Sequence, residues 1–400
     1  MGNKTLIYIP YQDTDNFYSD GILTREFAML YLLYNMGFEQ VINIKKPRTF
    51  LDRKKYSVHE DFYPEGTVEH EVKKICDSAE TYQYITGFSM DQVFNRRGWW
   101  KRGYHKLEKK ISLHKVVNEH CLVYSDNPYA VTLLKILKES GCKIYFDIMD
   151  NFAIHPSLSK KEQNAALEGY REILSFADMV SANSVQTCDF MKNISGTPVA
   201  LVKNGVFQRK NRDDLFIPGC VNLIKKKKEE YKKCVGYIGK LGKRLDAELI
   251  DEVTENCPDT LFVFVGGYLK GQANVKLEDI FLKKNVLHID SVPSAYTYAL
   301  LDEFDILSVP HAVGKAENGG DPLKLYQYMT TDKPIITTGI LGVDEFKDSI
   351  CIADKAYQWT DFISNDVGDS HTRDVKEFIW ETRIAPIKRW VNTAMTKEES

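Results

Sequence analysis

The chain alternates short apolar segments with longer amphipathic ones, and this alternation recurs in both halves. In the first half, segments rich in β-branched and aromatic residues at 6–9 and 122–124 are followed by helical patterns near 23–36 and 130–139. Strands that alternate with helices in this way are typical of βαβ units, whose strands are parallel. The second half restarts the same pattern at 235–238. The sequence therefore predicts an α/β protein with two doubly wound, Rossmann-like domains.

The length of the chain also favours two domains. A chain of 400 residues exceeds the usual size of a single compact core. A turn signal at 203–206 followed by a basic stretch marks the junction, so we predict an N-terminal domain over 1–208 and a C-terminal domain over 209–374. We expect residues 375–400 to form a helix that packs back across the junction. Because such folds bind ligands outside the carboxyl ends of their strands, the ligand should lie in an inter-domain cleft.

Composition limits the kinds of binding partner that can be expected and indicates the cellular compartment. The net charge of -3 gives no general attraction to nucleic acid, so no nucleic-acid partner is expected. The eight cysteines are scattered and none forms a C-x-x-C pair, which is typical of reduced thiols in the cytoplasm. No apolar run approaches the roughly 20 residues of a membrane span, and the first residues read as a strand instead of a signal peptide. We therefore expect a cytoplasmic protein.

A glycine-rich turn that opens a short helix is the best candidate for a binding site in the second half. Adjacent glycines let the backbone approach a ligand, and the first amides of a helix point towards an anion. Lys324 adds a positive charge, and Gln327 follows one turn later on nearly the same face. This pattern predicts a phosphate site, although an ordinary capped surface helix would give the same signature. The candidate residues are Glu317, Asn318, Gly319, Gly320, Leu323, Lys324 and Gln327.

A second glycine turn follows the first strand of the C-terminal half. Its spacing is Gly236-x-x-Gly239-x-x-Gly242, which differs from the dinucleotide fingerprint G-x-G-x-x-G and from the P-loop. Three cations accompany the turn, and cations at the carboxyl end of a strand could stabilise a diphosphate without a metal ion. The alternative is a solvated basic turn. The candidate diphosphate ligands are Gly239, Lys240, Lys243 and Arg244.

The order of these motifs resembles that of GT-B glycosyltransferases, over most of residues 145–355. The general layout is similar to glycosyltransferase family 4, in which an N-G-V turn like that at 204–206 closes the first domain and the donor nucleotide binds the second. That family commonly places a Glu at each end of the loop and helix, where this chain has Gly319 and Gln327. The Lys324-x-x-Gln327 pair is closer to the xanthan glucuronosyltransferase group, in which a Lys and a Gln at this spacing contact the nucleotide diphosphate and the sugar.

The resemblance implies a GT-B fold and a hexosyltransferase activity. The implied reaction moves a hexose-type sugar from a nucleotide-sugar donor, expected to be a uridine diphosphate sugar, to a hydroxyl of a polysaccharide or lipid-linked glycan. Lys324 and the turn at 239–244 would stabilise the leaving group, so no metal or other cofactor is expected. By its position after the strand at 286–289, Val292 would lie beside the nucleobase.

The first half should supply the acceptor site and any general base. Asp147 and Asp150 stand at the end of a strand, and Asp150 resembles the acid that acts as base towards the acceptor hydroxyl in the glucuronosyltransferase group. His155 could assist it, and the loop through Asp20 and Gly21 is expected to border the acceptor. Alternatively, either aspartate only caps the following turn.

Asp13-Thr14-Asp15 has the D-x-D form by which GT-A enzymes hold a metal ion. It follows the first strand and not a nucleotide-binding unit, and aspartate and threonine are common in loops. The histidines and cysteines form no metal-ligand spacing. We therefore interpret the motif as an ordinary loop and expect no metal site.

A segment near 96–110 combines cations with aromatic residues. Basic residues attract anionic headgroups and tryptophans favour the membrane interface, which suits peripheral contact at the inner face of the cell membrane. The alternative is a solvated helix with its tryptophans in the core. The predicted contact residues are Arg96, Arg97, Trp99, Trp100, Lys101 and Arg102.

Two other functions fit the same sequence. A nucleotide-sugar epimerase of this architecture would consume a donor without an acceptor. A non-catalytic glycan-binding protein could have kept the fold, since Gly319 and Gln327 replace acids. Product analysis with donor alone separates the first from a transferase, and calorimetry with uridine and guanosine diphosphates tests the second.

Overall fold

The computed structural model describes residues 4–52, 58–87, 90, 97–108, 120–155, 157–208, 219–268, 273–314, 322–365 and 373–395. Glu317, Asn318, Gly319, Gly320 and Arg96 lie outside these ranges. The chain divides into two compact units, the first formed by Met1–Lys203 with Arg383–Ser400 and the second by Asn204–Thr382. The division after residue 203 lies five residues before the predicted domain boundary at 208, and the C-terminal residues from 383 group with the first unit.

The first unit contains a seven-stranded sheet in the order β3-β2-β1-β4-β5-β6-β7, and every neighbouring pair is parallel. Leu6 on β1 aligns with Val41 on β2 and with Leu122 on β4, so β1 lies between these two strands inside the sheet. The strand order reverses between β1 and β4, which makes this the topological switch point of the sheet. The strands are β1 (Thr5–Ile9), β2 (Gln40–Thr49), β3 (Glu80–Thr86), β4 (Cys121–Ser125), β5 (Lys143–Ile148), β6 (Met179–Ala182) and β7 (Ala200–Leu201).

Helices flank this sheet. Helix α6 begins with a capping box, in which the Ser159 hydroxyl accepts from the Glu162 amide and the Glu162 carboxylate accepts from the Ser159 amide. Apolar side chains of α5, such as Leu133 and Leu137, share a buried cluster with Val123 of β4. The first-unit helices are α1 (Thr14–Asp20), α2 (Arg25–Tyr34), α3 (Val68–Ser78), α4 (Gly98–Glu108), α5 (Val131–Glu139), α6 (Lys160–Leu174) and α7 (Val185–Ser195).

The second unit contains a six-stranded parallel sheet in the order β10-β9-β8-β11-β12-β13. The sequence of β9 is apolar apart from its first residue and all of it is buried, as expected of a central parallel strand covered on both faces. The strands are β8 (Lys233–Ile238), β9 (Thr260–Val265), β10 (Val286–Ile289), β11 (Ile306–Val309), β12 (Ile335–Thr337) and β13 (Cys351–Ile352). The helices that follow α7 are α8 (Gly219–Lys228), α9 (Ala247–Asn256), α10 (Val275–Phe281), α11 (Thr297–Glu303), α12 (Leu323–Met329), α13 (Ala356–Ser364), α14 (Trp380–Arg383) and, within the first unit, α15 (Ala385–Met395).

The predicted pair of doubly wound sheets is confirmed, and two details of the prediction are wrong. The basic run 225–228, interpreted as a linker, forms the last turn of α8, where Lys228 donates to Asp305 at 2.7 Å. The helix expected over 375–400 is instead two helices, α14 and α15, which begin at Trp380 and Ala385.

Candidate functional site

The carboxyl ends of β8 and β9 meet through their backbones in the second unit. The Gly239 amide donates to the Val265 carbonyl and the Gly266 amide donates to the Ile289 carbonyl, each at 2.8 Å. Gly239 and Gly266 have φ angles of 152° and 150°, and a Cβ on Gly266 would lie 2.0 Å from the Gly239 carbonyl oxygen. Only glycine fits at such an approach, so both residues shape the surface at which these strands end.

Lys324 reaches this strand end from α12. Its ammonium lies 3.0 Å from the Tyr237 hydroxyl, 3.0 Å from His311 Nε2 and 4.5 Å from the centre of the Tyr237 ring. A Cβ on Gly239 would lie 2.9 Å from the same ammonium. The structure therefore brings together two residues that the sequence predicted for one site, Lys324 and Gly239.

The charges at this strand end are not balanced. Burial and the nearby Arg244 lower the pKa of Lys324 well below its usual value. Burial, with Lys324 and Arg244, lowers the pKa of His311 to about 2, so His311 is neutral and its Nε2 can accept a hydrogen bond from Lys324. The buried Nε of Arg244 has no hydrogen-bond partner, and within the described part of the chain neither cation forms an ion pair. Such a group favours an anionic ligand.

Four other predicted residues of the second unit are described, two in the turn after β8 and two on α12. The Lys240 carbonyl accepts from the Tyr237 hydroxyl at 2.9 Å, whereas the Lys243 side chain is exposed. Gln327 is half-buried one turn after Lys324 on α12. Leu323 begins that helix and is 37% exposed.

Two further residues of the second unit have structural contacts or positions. Val292, in the loop after β10, packs against the core of the second unit. Pro322 is the N-cap of α12 and makes no side-chain cap bond.

Asp147 and Asp150 have different environments in the first unit. Asp147 is fully buried and accepts from Arg25 at 2.8 and 2.9 Å and from the Ser181 hydroxyl at 2.6 Å. Its oxygens are therefore occupied by structural partners. Asp150 is half-buried, and its carbonyl accepts from the Tyr170 hydroxyl and the Phe152 amide, each at 3.0 Å.

His155 lies close enough to Asp150 for their charges to interact. Burial lowers the pKa of His155, and the Asp150 carboxylate opposes that shift. The His155 Nδ1 is 2.8 Å from the Ser157 hydroxyl. The structure thus brings the predicted base and the predicted assisting residue into the same region.

The loop through Asp20 and Gly21 has a structural explanation. Gly21 is the left-handed C-cap of α1, with a φ of 61°, and its amide donates to Phe17 at 2.8 Å. Asp20 is exposed and accepts from the Ser19 hydroxyl at 2.8 Å. Helix termination therefore accounts for Gly21 without an acceptor ligand, and the contact with an acceptor stays a prediction.

The acids of the D-x-D motif are paired with cations of β2. Asp13 is fully buried and contacts Arg48 at 2.8 Å, while Asp15 contacts Lys45 at 2.6 Å and Arg48 at 2.8 Å. Among the residues that the structure describes, no group of three or more His, Cys, Asp or Glu side chains could hold a metal ion. Asp13 is the N-cap of α1 and Asp15 lies in its first turn, so the motif forms the start of a helix and not the loop that the sequence predicted.

The tryptophans of the basic and aromatic segment do not face solvent. Trp99 and Trp100 are 6% and 8% exposed, and the Trp100 ring packs against Tyr11 and Tyr129. The predicted membrane contact of both tryptophans is wrong, because α4 is amphipathic and turns them into the core.

The cations of the segment are divided between the core and the surface. Arg97 pairs with Glu162 at 2.8 Å, whereas Lys101 and Arg102 are exposed. Across the described ranges, no helix combines the length and hydropathy that crossing a bilayer requires.

The sequence analysis missed a group of buried polar residues at the ends of β1 and β4. Glu26, in the first turn of α2, is 1% exposed, and Asp126, which follows β4, is 2% exposed. Burial, followed by the charge of Glu26, raises the pKa of Asp126 well above its usual value. The position of Asp126, directly after a buried strand at the switch point, is the signal that could have identified it.

Comparison with known proteins identifies the fold. No protein-family model matches the chain, and no curated protein matches it in sequence. Anabaena Alr3699/HepE, solved in complex with UDP and glucose, has a TM-score of 0.64 at 13% identity, over 98% of this chain and 100% of that chain.

Two α,α-trehalose-phosphate synthases (UDP-forming) also have similar structures. The enzyme from Burkholderia xenovorans, in complex with glucose-6-phosphate, has a TM-score of 0.59 at 11% identity, over 98% of this chain and 100% of that chain. The enzyme from Burkholderia vietnamiensis has a TM-score of 0.56 at 10% identity, and the match covers 98% of each chain. The predicted GT-B fold is confirmed.

Proposed function

We propose that the protein is a glycosyltransferase that takes a hexose-type sugar from a UDP-sugar and transfers it to a hydroxyl group of a glycan. Proteins of the same fold support the choice of donor, because the Anabaena protein was solved with UDP and glucose and the Burkholderia enzymes are described as UDP-forming. The fold alone supports many reactions, so the assignment depends on the residues at the ends of the strands.

The unbalanced positive charge at the end of β8 is the observation that carries the proposal. Lys324 lies beside Gly239 and within electrostatic reach of Arg244, and neither cation forms an ion pair with the described carboxylates. A nucleotide diphosphate supplies the missing negative charge. As the bond between the sugar and the β-phosphate breaks, charge increases on the diphosphate, and fixed cations stabilise it. In this proposal the two cations make a metal ion unnecessary.

Neutral His311 contributes by holding Lys324 in place. Its Nε2 accepts from the ammonium at 3.0 Å, and its pKa of about 2 keeps it uncharged over the working range of pH. A protonated imidazole here would repel Lys324 and leave it one acceptor fewer. The Tyr237 ring and hydroxyl complete the contacts that position the ammonium.

Asp150 is our candidate for the general base that takes the proton of the acceptor hydroxyl. It is half-buried and interacts with His155, whereas the carboxylate of Asp147 is occupied by Arg25 and Ser181. The acceptor would be a polysaccharide or a lipid-linked glycan. A lipid-linked acceptor would place the protein at the inner face of the membrane, where the exposed Lys101 and Arg102 could meet anionic headgroups.

Calorimetry with UDP and GDP tests the donor site directly. We expect the wild type to bind UDP more tightly than GDP, and Lys324→Met to weaken UDP binding by at least tenfold, since a hydrogen bond to a charged group contributes about 1.5–3 kcal/mol. Turnover of a UDP-sugar should be lost in the same variant. Lys232→Met is the matched control, because this lysine of the second unit is 81% exposed and pairs only with Asp259. Wild-type affinity in Lys324→Met, or no binding of either nucleotide by the wild type, would contradict the proposal.

A further inference from the structure

At the switch point of the first sheet, one hydrogen bond joins the segment after β1 to the segment after β4. The Tyr11 amide, just after β1, donates to Asp126 Oδ1, just after β4, at 2.8 Å. Parallel doubly wound sheets bind ligands outside the carboxyl ends of their strands at such a reversal of strand order. In the first unit, this is therefore the place where the fold favours a ligand.

Several buried polar atoms at this place have no hydrogen-bond partner among the described residues. They are the hydroxyl oxygen of Tyr8, both carboxylate oxygens of Glu26 and Oδ2 of Asp126. These side chains are 0%, 1% and 2% exposed. Buried polar groups are almost always hydrogen-bonded, so unsatisfied atoms on three neighbouring side chains need an explanation.

The three side chains act on one another. Burial and then the charges of Glu26 and Asp126 raise the pKa of Tyr8, so its hydroxyl lies within electrostatic reach of both acids. Burial, with Asp150 and Asp147, raises the pKa of Glu26 to about 7, whereas the nearby Thr24 hydroxyl, which also lacks a hydrogen bond of good geometry among the described residues, opposes the rise. Tyr8 is also fixed by stacking on Tyr124, with ring centres 5.7 Å apart. The unsatisfied atoms therefore form one cluster.

The chemistry of the cluster restricts its ligand. The described residues offer no group of acids, histidines or cysteines suited to a metal ion. Arg25, the neighbour of Glu26 in sequence, already gives two hydrogen bonds to Asp147. An anionic ligand would be repelled by two carboxyl groups. What fits is an uncharged molecule that donates several hydrogen bonds and can accept one from Tyr8.

We propose that Glu26, Asp126 and Tyr8 bind the hydroxyl groups of a neutral sugar, the acceptor of the reaction. This inference rests on the proposed function, which it deepens by naming residues that recognise the acceptor. The unsatisfied oxygens of the Glu26 and Asp126 carboxyl groups form hydrogen bonds with two sugar hydroxyls, and the Tyr8 hydroxyl donates to a sugar oxygen. The ligand enters from the side of Tyr11 and Asp150, which are partly exposed, and this brings a hydroxyl near the candidate base.

Saturation-transfer NMR with simple sugars tests the site. The probes are methyl α-D-glucopyranoside, methyl β-D-galactopyranoside, methyl N-acetyl-β-D-glucosaminide and the cationic sugar glucosamine, each with and without saturating UDP. We expect the wild type to bind at least one neutral sugar. Glu26→Gln and Asp126→Asn should each weaken that binding about tenfold, because an amide NH2 replaces one carboxyl oxygen and leaves a buried polar group unsatisfied, and Tyr8→Phe should weaken it less.

Glu69→Gln is the matched control. Glu69 is also a buried glutamate in the first turn of a first-unit helix, 8% exposed, and burial likewise raises its pKa to about 7. It has no place at the ends of β1 and β4, so sugar binding should equal that of the wild type. Tyr8→Phe removes a single oxygen and provides a folded variant if either acid replacement fails to fold.

UDP calorimetry on each variant separates this inference from the proposed function. Retained UDP binding with lost sugar binding in Glu26→Gln and Asp126→Asn supports the acceptor site. Loss of UDP binding in the wild type would remove the proposed donor site, while sugar binding without UDP would still support the cluster. The inference is overturned if the wild type binds no neutral sugar, if glucosamine binds in preference to every neutral sugar, or if Glu26→Gln, Asp126→Asn and Tyr8→Phe all bind as the wild type does.

Discussion

At the scale of single residues, Lys324 is the most informative side chain. It lies on a short helix with no acidic partner within the described ranges, and three uncharged or cationic neighbours surround it: Tyr237, His311 and Arg244. An isolated ammonium in such a place is costly, so the unliganded protein lowers the pKa of Lys324. The negative charge of a bound diphosphate would stabilise the Lys324 ammonium and offset this desolvation.

Nucleotide binding should therefore be coupled to proton uptake. The pKa of Lys324 is lowered in the free protein and should rise when a diphosphate is bound, so protons are taken up at pH values between the two. By the same sign, UDP affinity should begin to fall as the pH rises through the pKa of the free state and should level off above the pKa of the bound state. Calorimetry at alkaline pH in two buffers with different ionisation enthalpies measures the uptake, and Lys324→Met should abolish it. An apparent enthalpy that does not depend on the buffer would contradict this prediction.

Two glycines of the G-x-x-G-x-x-G turn, Gly236 and Gly239, have different structural roles, which the spacing in the sequence could not distinguish. Gly239 meets the predicted purpose, close approach of a functional group, because the Lys324 ammonium lies beside it. Gly236 serves packing instead, since a Cβ there would lie 2.0 Å from the Phe304 ring. The sequence spacing identified the turn but could not separate these two reasons, because Phe304 is distant in sequence.

At the scale of elements, helix α2 is joined to strand β5 by the buried pair of Arg25 and Asp147. Both partners are buried, and two further hydroxyl groups, from Ser181 and Tyr124, hydrogen-bond the carboxylate. A buried arginine that loses its carboxylate is left as an uncompensated charge. The pair therefore positions the start of α2, where Glu26 lies, against the end of β5.

Asp147→Asn should lower the free energy of unfolding by about 3–5 kcal/mol, the usual effect of breaking a buried ion pair from one side. Asp150→Asn should change stability far less, because Asp150 is only half-buried, but should reduce turnover. Urea unfolding measures the first effect and a UDP-release assay the second. If Asp150→Asn proves the more destabilising of the two, the division between structural and functional aspartates is wrong.

The elements that sequence analysis predicted are those with a strong periodic pattern. Buried strands such as β4 and β8, predicted at 122–124 and 235–238, were placed to within one or two residues. In contrast, β3 was not identified, because its sequence ETYQYIT is largely polar and only one of its seven residues is buried. It lies at the edge of the sheet, so the pattern of a central strand is absent.

The candidate site was predicted in the same uneven way. Motifs that are continuous in sequence, such as the turn at Gly239 and the helix of Lys324, could be found and paired. Glu26 and Asp126 could not, because they lie 100 positions apart and meet only through the strand order at β1 and β4. Similarly, the tryptophans of α4 were assigned to a membrane surface because composition does not show which face of a helix is buried.

At the scale of the whole molecule, the first unit is formed from both ends of the chain, and the second unit from the part between them. The second unit ends at Thr382, and the residues from Arg383 onwards group with the first unit, 182 positions after β7 ends at Leu201. On α15, Ile387 is fully buried, and Trp390 packs against Tyr145 of β5 with ring centres 6.2 Å apart. The C-terminal helix is thus part of the first core.

A core mutation in α15 should therefore destabilise strands of the first unit, which are distant from it in sequence. Strands of the second unit, which are nearer in sequence, should not be affected. Ile387→Ala should destabilise by about 2–5 kcal/mol, as expected for a buried isoleucine, and hydrogen exchange should accelerate in β4 and β5. Exchange in β8 and β9, whose buried residues belong to separate clusters, should not change. Ile363→Ala is the reciprocal control, since Ile363 packs in the same cluster as Val235 of β8 and Phe262 of β9. Equal acceleration in both sheets by either variant would mean that the two units open as one cooperative structure.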